Sequence, residues 1–273
     1  MQTADYLVGA FTLALLAVST GLWINLLRQG IGRGWSWPVQ PRRDVPWRPW
    51  EAVVTIILVL FYVSAVLQWV TAPVAGSPES ASYSLQRLQY FALSQVAELM
   101  LIPLILGIWC RCRWEDFGLR RHGLLTDLRF AVWGVLLAQL PVRLVEYPLQ
   151  ALRKANPHPV LELLLSSGSE WQTLAWIALE VVVLAPLVEE LLFRVLLQGA
   201  LEREIPAGWA ILLTAIAFAG IHQPTDWLPL LPLALILGYV YYRRRSFVAI
   251  VVLHGLFNAI SLVCALWLTK MPV

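Results

Sequence analysis

"VVLAPLVEELLFRVLLQG", Val182 to Gly199, decides how the rest of the chain is read. It is nearly all apolar, yet Glu189, Glu190 and Arg194 sit in its middle. On a soluble helix such residues mark the wet face, and the surrounding sequence offers none. Of 273 residues, 59% are hydrophobic and 14% charged, against about 25% charged in soluble domains; mean hydropathy is +0.69. Long apolar runs recur at Tyr6–Leu27, Ala52–Ala72, Leu88–Cys110, Leu128–Val145, Thr173–Leu201, Gly208–Ile221, Trp227–Tyr242 and Phe247–Leu268. Spanning a bilayer takes roughly 20 apolar residues, and runs this long satisfy their backbone in hydrocarbon as helices. The expectation is an all-α fold: a polytopic transmembrane helical bundle of about eight membrane-spanning helices. It forms a single integral domain over residues 1–273, with 1–150 mainly scaffold and 172–268 the catalytic core spans.

The first run lacks a basic n-region and is read as a permanent span rather than a signal peptide. Arginines gather after the first, third and seventh runs (Arg28, Arg33, Arg42, Arg43 and Arg48; Arg111, Arg113, Arg120 and Arg121; Arg243, Arg244 and Arg245). By the positive-inside rule these connections are cytoplasmic and both termini outside, although Arg153 and Lys154 after the fourth run blur the pattern. The net charge of +3 is spread among membrane-flanking loops, so no nucleic-acid partner is expected. Cys110 and Cys112 form C-x-C and Cys264 lies in the last run, a set with no structural zinc pattern. Palmitoylation of the C-x-C pair is the alternative to a bland juxtamembrane role. Two segments read as interfacial: the Pro-, Trp- and Arg-rich Gly30–Trp50, and Trp114–Gly123. "LELLLSS", within the connection Ala151–Trp171, suits a segment lying flat on the membrane.

The chemistry concentrates after residue 180. Glu190 and Arg194, at i,i+4, share a helical face and can form an ion pair. Glu189 is rotated about 100° from Glu190 and about 140° from Arg194, which leaves it available. Pro186 removes a backbone hydrogen bond and invites a kink or local opening. Two further sites follow: "FAGIH", ending at His222, and "HGLFN", which puts His254 and Asn258 on one face. Ionisable residues inside spans are costly and functional by default. A carboxylate, two histidines and an asparagine supply a base, an acid and hydrogen-bond donors, the inventory for adding water to an amide. Nothing suggests a serine or cysteine nucleophile. By helical rise His222 lies about 22 Å along its run and His254 about 12 Å from the same side. For the two to meet, the short sixth and seventh spans must be displaced in depth, with "HQPTDWLPLLP" dipping into the membrane.

These stretches resemble the three motifs of the CPBP intramembrane protease family, which includes type II CAAX prenyl proteases and bacteriocin-processing or immunity proteins. EExxxR corresponds to Glu189–Arg194, FxxxH to Phe218–His222, and HxxxN to His254–Asn258; together they cover about Val182–Leu262. The resemblance implies a glutamate-type intramembrane endopeptidase. Glu189 and His222 would activate water, His254 and Asn258 would form the oxyanion hole, and Glu190 with Arg194 would support the site. It implies a membrane-associated or lipidated protein or peptide substrate, met in the lipid bilayer, and a multi-pass protein of the cell (inner) membrane. A Glu/His/His set has the donors for zinc, but H-E-x-x-H is absent and His254 lies beside an asparagine suited to oxyanion donation. No metal or other cofactor is therefore expected. The competing reading is a non-enzymatic scaffold, an immunity protein or a proton-coupled transporter built on the same cluster.

Overall fold

Each apolar run folds as a helix in the computed structural model, which describes residues 2–33, 44–70, 85–120, 123–155, 163 and 170–269. In chain order these are α1 (Gln2–Arg33), α2 (Pro49–Val70), α3 (Leu85–Cys110), α4 (Leu124–Ala155), α5 (residues 171–204), α6 (Ala207–Gly220), α7 (Trp227–Arg244) and α8 (Phe247–Thr269). No strand occurs among the described residues. Five segments are long and apolar enough to cross a membrane: Tyr6–Gln29, Pro49–Gln68, Leu85–Cys110, Leu124–Leu149 and Phe247–Trp267. The remaining three of the eight differ for physical reasons. α5 carries charges in its middle, α6 has 14 residues and so rises only about 21 Å, and α7 ends on Arg243 and Arg244. The molecule is a helical membrane bundle whose large apolar side chains, among them Phe61, Met100 and Ile108, face outward. A water-soluble monomer seldom exposes so continuous an apolar surface.

α4 runs through the centre of the bundle, packing on α1, α7 and α8, while α2 pairs with α3 and α6 with α7. Gly134 permits the close α4–α8 approach: a Cβ there would lie 2.2 Å from Leu253 Cδ1. A turn at one end ties the halves together. The Asp127 carboxylate of α4 accepts hydrogen bonds from Arg244 (2.8 and 3.0 Å) and from the hydroxyl of Ser246 (2.8 Å). The Phe247 N–H donates to the carbonyl of Gly118 at 3.1 Å.

Two peripheral expectations change. Trp47 belongs to the segment read as interfacial, yet it is fully buried. Its indole donates to the Leu196 carbonyl of α5 at 3.1 Å, and Arg203 holds the loop through the carbonyls of Val45 and Trp47. A tryptophan whose N–H finds a partner can join a core. In the second segment Trp114 is exposed, as an interfacial residue should be, whereas Phe117 is buried against Trp47. The Cys112 thiol donates to the Leu106 carbonyl, and burial pushes it up to about 12. "LELLLSS", apart from Leu163, and prolines 38 and 41 lie outside the described residues.

Candidate active site

The opening invited by Pro186 is present. α5 alternates α-helical turns (Trp171–Ala178, Ala185–Glu190 and Gly199–Glu204) with two wider π-helical stretches, Leu179–Leu184 and Leu191–Gln198. Pro186 lacks an N–H, so it can serve neither Val182, its α-helical acceptor, nor Val181, its π-helical one. α8 answers at both carbonyls. Asn258 Nδ2 donates to the Val181 carbonyl at 2.9 Å. Gly255 lets the α8 backbone lie against the carbonyl of Val182, where an added Cβ would sit 2.6 Å from the oxygen. The proline thus fixes where α8 docks, and with it where His254 stands.

The six candidate residues fall where two α5 turns meet α6 and α8. Glu190 and Arg194 form the expected ion pair at 3.3 Å, with both side chains fully buried. Arg194 also donates to the Ala234 carbonyl at 3.3 Å and lies over the Phe218 ring, 4.4 Å from its centroid. Glu189 stays outside that pair and remains partly accessible. Its two oxygens face two histidines: Oε1 is 3.8 Å from His222 Nε2 and Oε2 is 3.8 Å from His254 Nε2. Those gaps exceed a direct hydrogen bond and suit a bridging water.

Each ring is held through its other nitrogen. His222 Nδ1 is 2.8 Å from the Phe218 carbonyl, an acceptor only, so Nδ1 carries the hydrogen. His254 Nδ1 is 2.9 Å from Glu190 Oε1 and donates to that carboxylate in the same way. Phe218 packs against both imidazoles, at 4.9 Å and 5.8 Å between ring centroids. The first residue of the FxxxH motif is therefore the wall that spaces the histidines. Glu190 has a second task that sequence spacing does not reveal, since it orients a histidine 64 residues away as well as pairing Arg194.

The depth mismatch between the histidines closes through Glu189. Glu202, at the end of α5, pairs with Arg245 in the turn between α7 and α8, so those ends are level. From there Glu189 lies about 19 Å along α5 by helical rise, between the two histidine levels, and sends one oxygen to each. Only residues 221–226 between α6 and α7 are non-helical; Trp227 opens α7, with Pro229 and Pro232 in its first turns. Pro229, in the first turn, forfeits no intrahelical bond, whereas Pro232 lies inside the helix and leaves the Leu228 carbonyl without its α-helical donor. The Trp227 indole donates to the His222 carbonyl at 2.7 Å and fastens the turn.

Several buried polar residues went unread in the sequence. Gln198 and Glu202 continue the face of Glu190 and Arg194 at four-residue spacing, a periodicity that was legible. Glu180 on α5 is buried opposite Gln95 and Glu98 of α3. Also among the described residues, no three His, Cys, Asp or Glu side chains are grouped to hold a metal ion.

The family comparison falls on this half of the chain. Residues 171–260 match the family model described as type II CAAX prenyl endopeptidase Rce1-like. That stretch holds all six candidate residues. Two UPF0177 proteins of Lactococcus lactis are similar over the same order of length. YaiF is 33% identical over 83 residues, covering 30% of this chain and 37% of the relative. YxdF is 33% identical over 78 residues, covering 28% and 42%. The chain thus spans about two fifths of the length of the curated relatives it matches. No solved structure matches.

Proposed function

We propose that the protein is an intramembrane endopeptidase of the glutamate type, hydrolysing peptide bonds of membrane-associated or lipidated substrates. The observation that carries this reading is the Glu189 carboxylate set between two imidazole Nε2 atoms, each 3.8 Å away. Water in that gap gives one proton to Glu189 and keeps the other hydrogen, which it donates as a hydrogen bond to the unprotonated Nε2 of His222. The resulting hydroxide attacks the carbonyl carbon. His254 and the second N–H of the Asn258 amide donate to the developing oxyanion. To donate from Nε2 as well as Nδ1, the His254 ring carries both protons, with Glu190 as its counterion. Glu189 then returns its proton to the nitrogen as the C–N bond breaks, releasing a carboxylic acid and an amine.

The reaction needs no metal: Glu189 supplies the base, and Glu190 and Arg194 hold the histidine that meets the oxyanion. The matched family description supports a prenylated C-terminal CAAX segment as substrate class, and the bundle supports a multi-pass membrane protein, which this reading places in the cell (inner) membrane.

The test is cleavage of an internally quenched, farnesylated CAAX peptide by purified protein in lipid nanodiscs. Wild type should cleave it, and 1,10-phenanthroline should leave the rate unchanged. Glu189→Ala and His222→Ala should insert normally and show no activity. Full activity in either variant overturns the mechanism, and loss of activity to chelation with recovery on added zinc overturns the metal-free reading. Absence of cleavage, together with proton-coupled flux in liposomes, would favour the transporter.

A further inference from the structure

Glu190, Arg194, Gln198 and Glu202 recur at every fourth residue of α5, and all four are buried. The lower three turn toward α7 and its end. Arg194 Nη2 donates to the carbonyl of Ala234 at 3.3 Å. One turn on, the Gln198 amide donates to the carbonyl of Gly238 at 2.9 Å and to Glu202 Oε1 at 2.7 Å. Glu202 Oε2 meets the Arg245 guanidinium in the α7–α8 turn, and Arg245 lies over the Tyr241 ring. Gly238 leaves room for the middle rung, since a Cβ there would sit 2.9 Å from Gln198 Oε1. At the upper end Glu190 accepts from His254 Nδ1. Polar contacts therefore run in two segments, His254–Glu190–Arg194 and Gln198–Glu202–Arg245, which meet through the α7 backbone at the Ala234 and Gly238 carbonyls one turn apart; the Arg245 side chain is 14% exposed.

Stability alone does not account for this arrangement. Replacing a buried ion pair with well-packed apolar residues of like volume is often neutral or stabilising. The ladder crosses Leu191–Gln198, where α5 is π-helical and its rotation is not set by the ordinary α-helical ladder. Each rung ties one α5 side chain to a carbonyl, to the next rung or to the terminal arginine, and so fixes the angle at which Glu190 leaves the helix. From the opposite side Trp47 holds the Leu196 carbonyl of the same stretch.

We propose that Gln198, Glu202 and Arg245 are positioning residues for His254: by fixing α7 against α5 at Gly238 they set Ala234 for Arg194, and through Arg194 and Glu190 hold the His254 Nδ1–H, and hence its Nε2, toward the reacting group. The inference rests on the endopeptidase reading for what His254 does, but the ladder can be tested without it.

The experiment records the ¹⁵N resonances of histidine side chains in nanodiscs, alongside hydrolysis of the farnesylated peptide. In Glu202→Gln and Gln198→Leu the His254 Nδ1 resonance should shift and kcat should fall about tenfold with KM unchanged. The double variant should be no slower than the worse single one, as expected within one network. Arg245→Lys, which keeps the charge, should retain more activity than Arg245→Ala. Arg143→Ala, which breaks an ion pair on α4 outside the ladder, should leave the resonance in place. If either ladder variant fails to fold, Arg245→Lys and Glu202→Asp are read for the same shift. An unmoved His254 resonance in folded ladder variants overturns the proposal. If wild type cleaves nothing, the endopeptidase reading falls while the resonance still decides the ladder.

Discussion

α4 and α5 face the same problem and solve it differently. Each is more than thirty residues long and carries proline in its interior. In α4, Pro141 leaves the Leu137 carbonyl without its intrahelical partner. The Trp23 indole of α1 supplies one at 2.9 Å, and the Ser19 hydroxyl adds another at 3.4 Å. α4 stays α-helical throughout. In α5, Pro186 follows a stretch that has widened to π-helix, and Asn258 of α8 repairs the Val181 carbonyl. Proline alone therefore does not make the opening. A fully buried glutamate–arginine pair accompanies it in α5, where the repairing residue lies one turn from His254, whereas the Arg143–Glu146 pair beside Pro141 keeps partial exposure.

The largest effect should come from the proposed base, Glu189. Glu189→Gln keeps size and polarity but cannot accept a proton, and general-base loss is worth roughly 10²- to 10⁴-fold. Hydrolysis by Glu189→Gln within tenfold of wild type would remove Glu189 from the chemistry. Next come the proposed oxyanion donors: His254→Ala and Asn258→Ala should each lower kcat by about 10²- to 10³-fold while KM changes little. They should part company in stability. Asn258→Ala also uncaps the Val181 carbonyl, which costs about 1–3 kcal/mol when a buried acceptor loses its partner. Equal melting temperatures for the two variants would mean that the repair of α5 carries no weight. Gly255→Ala comes third. Its methyl group would meet the Val182 carbonyl, forcing α8 away at about 1–3 kcal/mol. Reduced kcat in a folded Gly255→Ala protein would show that the site tolerates no slack between α5 and α8.

Much of this was legible in the sequence, and the rest was hidden for identifiable reasons. The apolar runs announced the helices, because a bilayer imposes length and composition directly. Helical rotation separated Glu189 from the Glu190–Arg194 pair, as i,i+4 geometry survives even where α5 widens. The contact of His254 with Glu190 was not legible, since it joins residues 64 apart and depends on the carbonyls that Pro186 sets free. Trp47 misled for the opposite reason. Composition placed it with interfacial tryptophans, whereas its position follows from one acceptor, the Leu196 carbonyl. Gln198 and Glu202 follow a visible period, but their partners Gly238 and Arg245 lie 40 and 43 residues away, beyond the reach of helical spacing.

The smallest effect belongs to α4 and is the sharpest control on the comparison. Trp23→Phe removes the indole N–H from the Leu137 carbonyl while keeping an aromatic ring, and Ser19 remains as a weaker donor. Hydrogen bonds between membrane helices average only about 0.6 kcal/mol, so the variant should unfold slightly earlier in a detergent titration. Its kcat should match wild type, because α4 repairs its proline away from any fully buried ion pair. A fall in kcat as large as that of Asn258→Ala would mean that α1 and α4 transmit strain to α8 through contacts such as Gly134 against Leu253. The first half of the chain would then be part of the site's geometry, and the contrast between the two prolines would be one of degree.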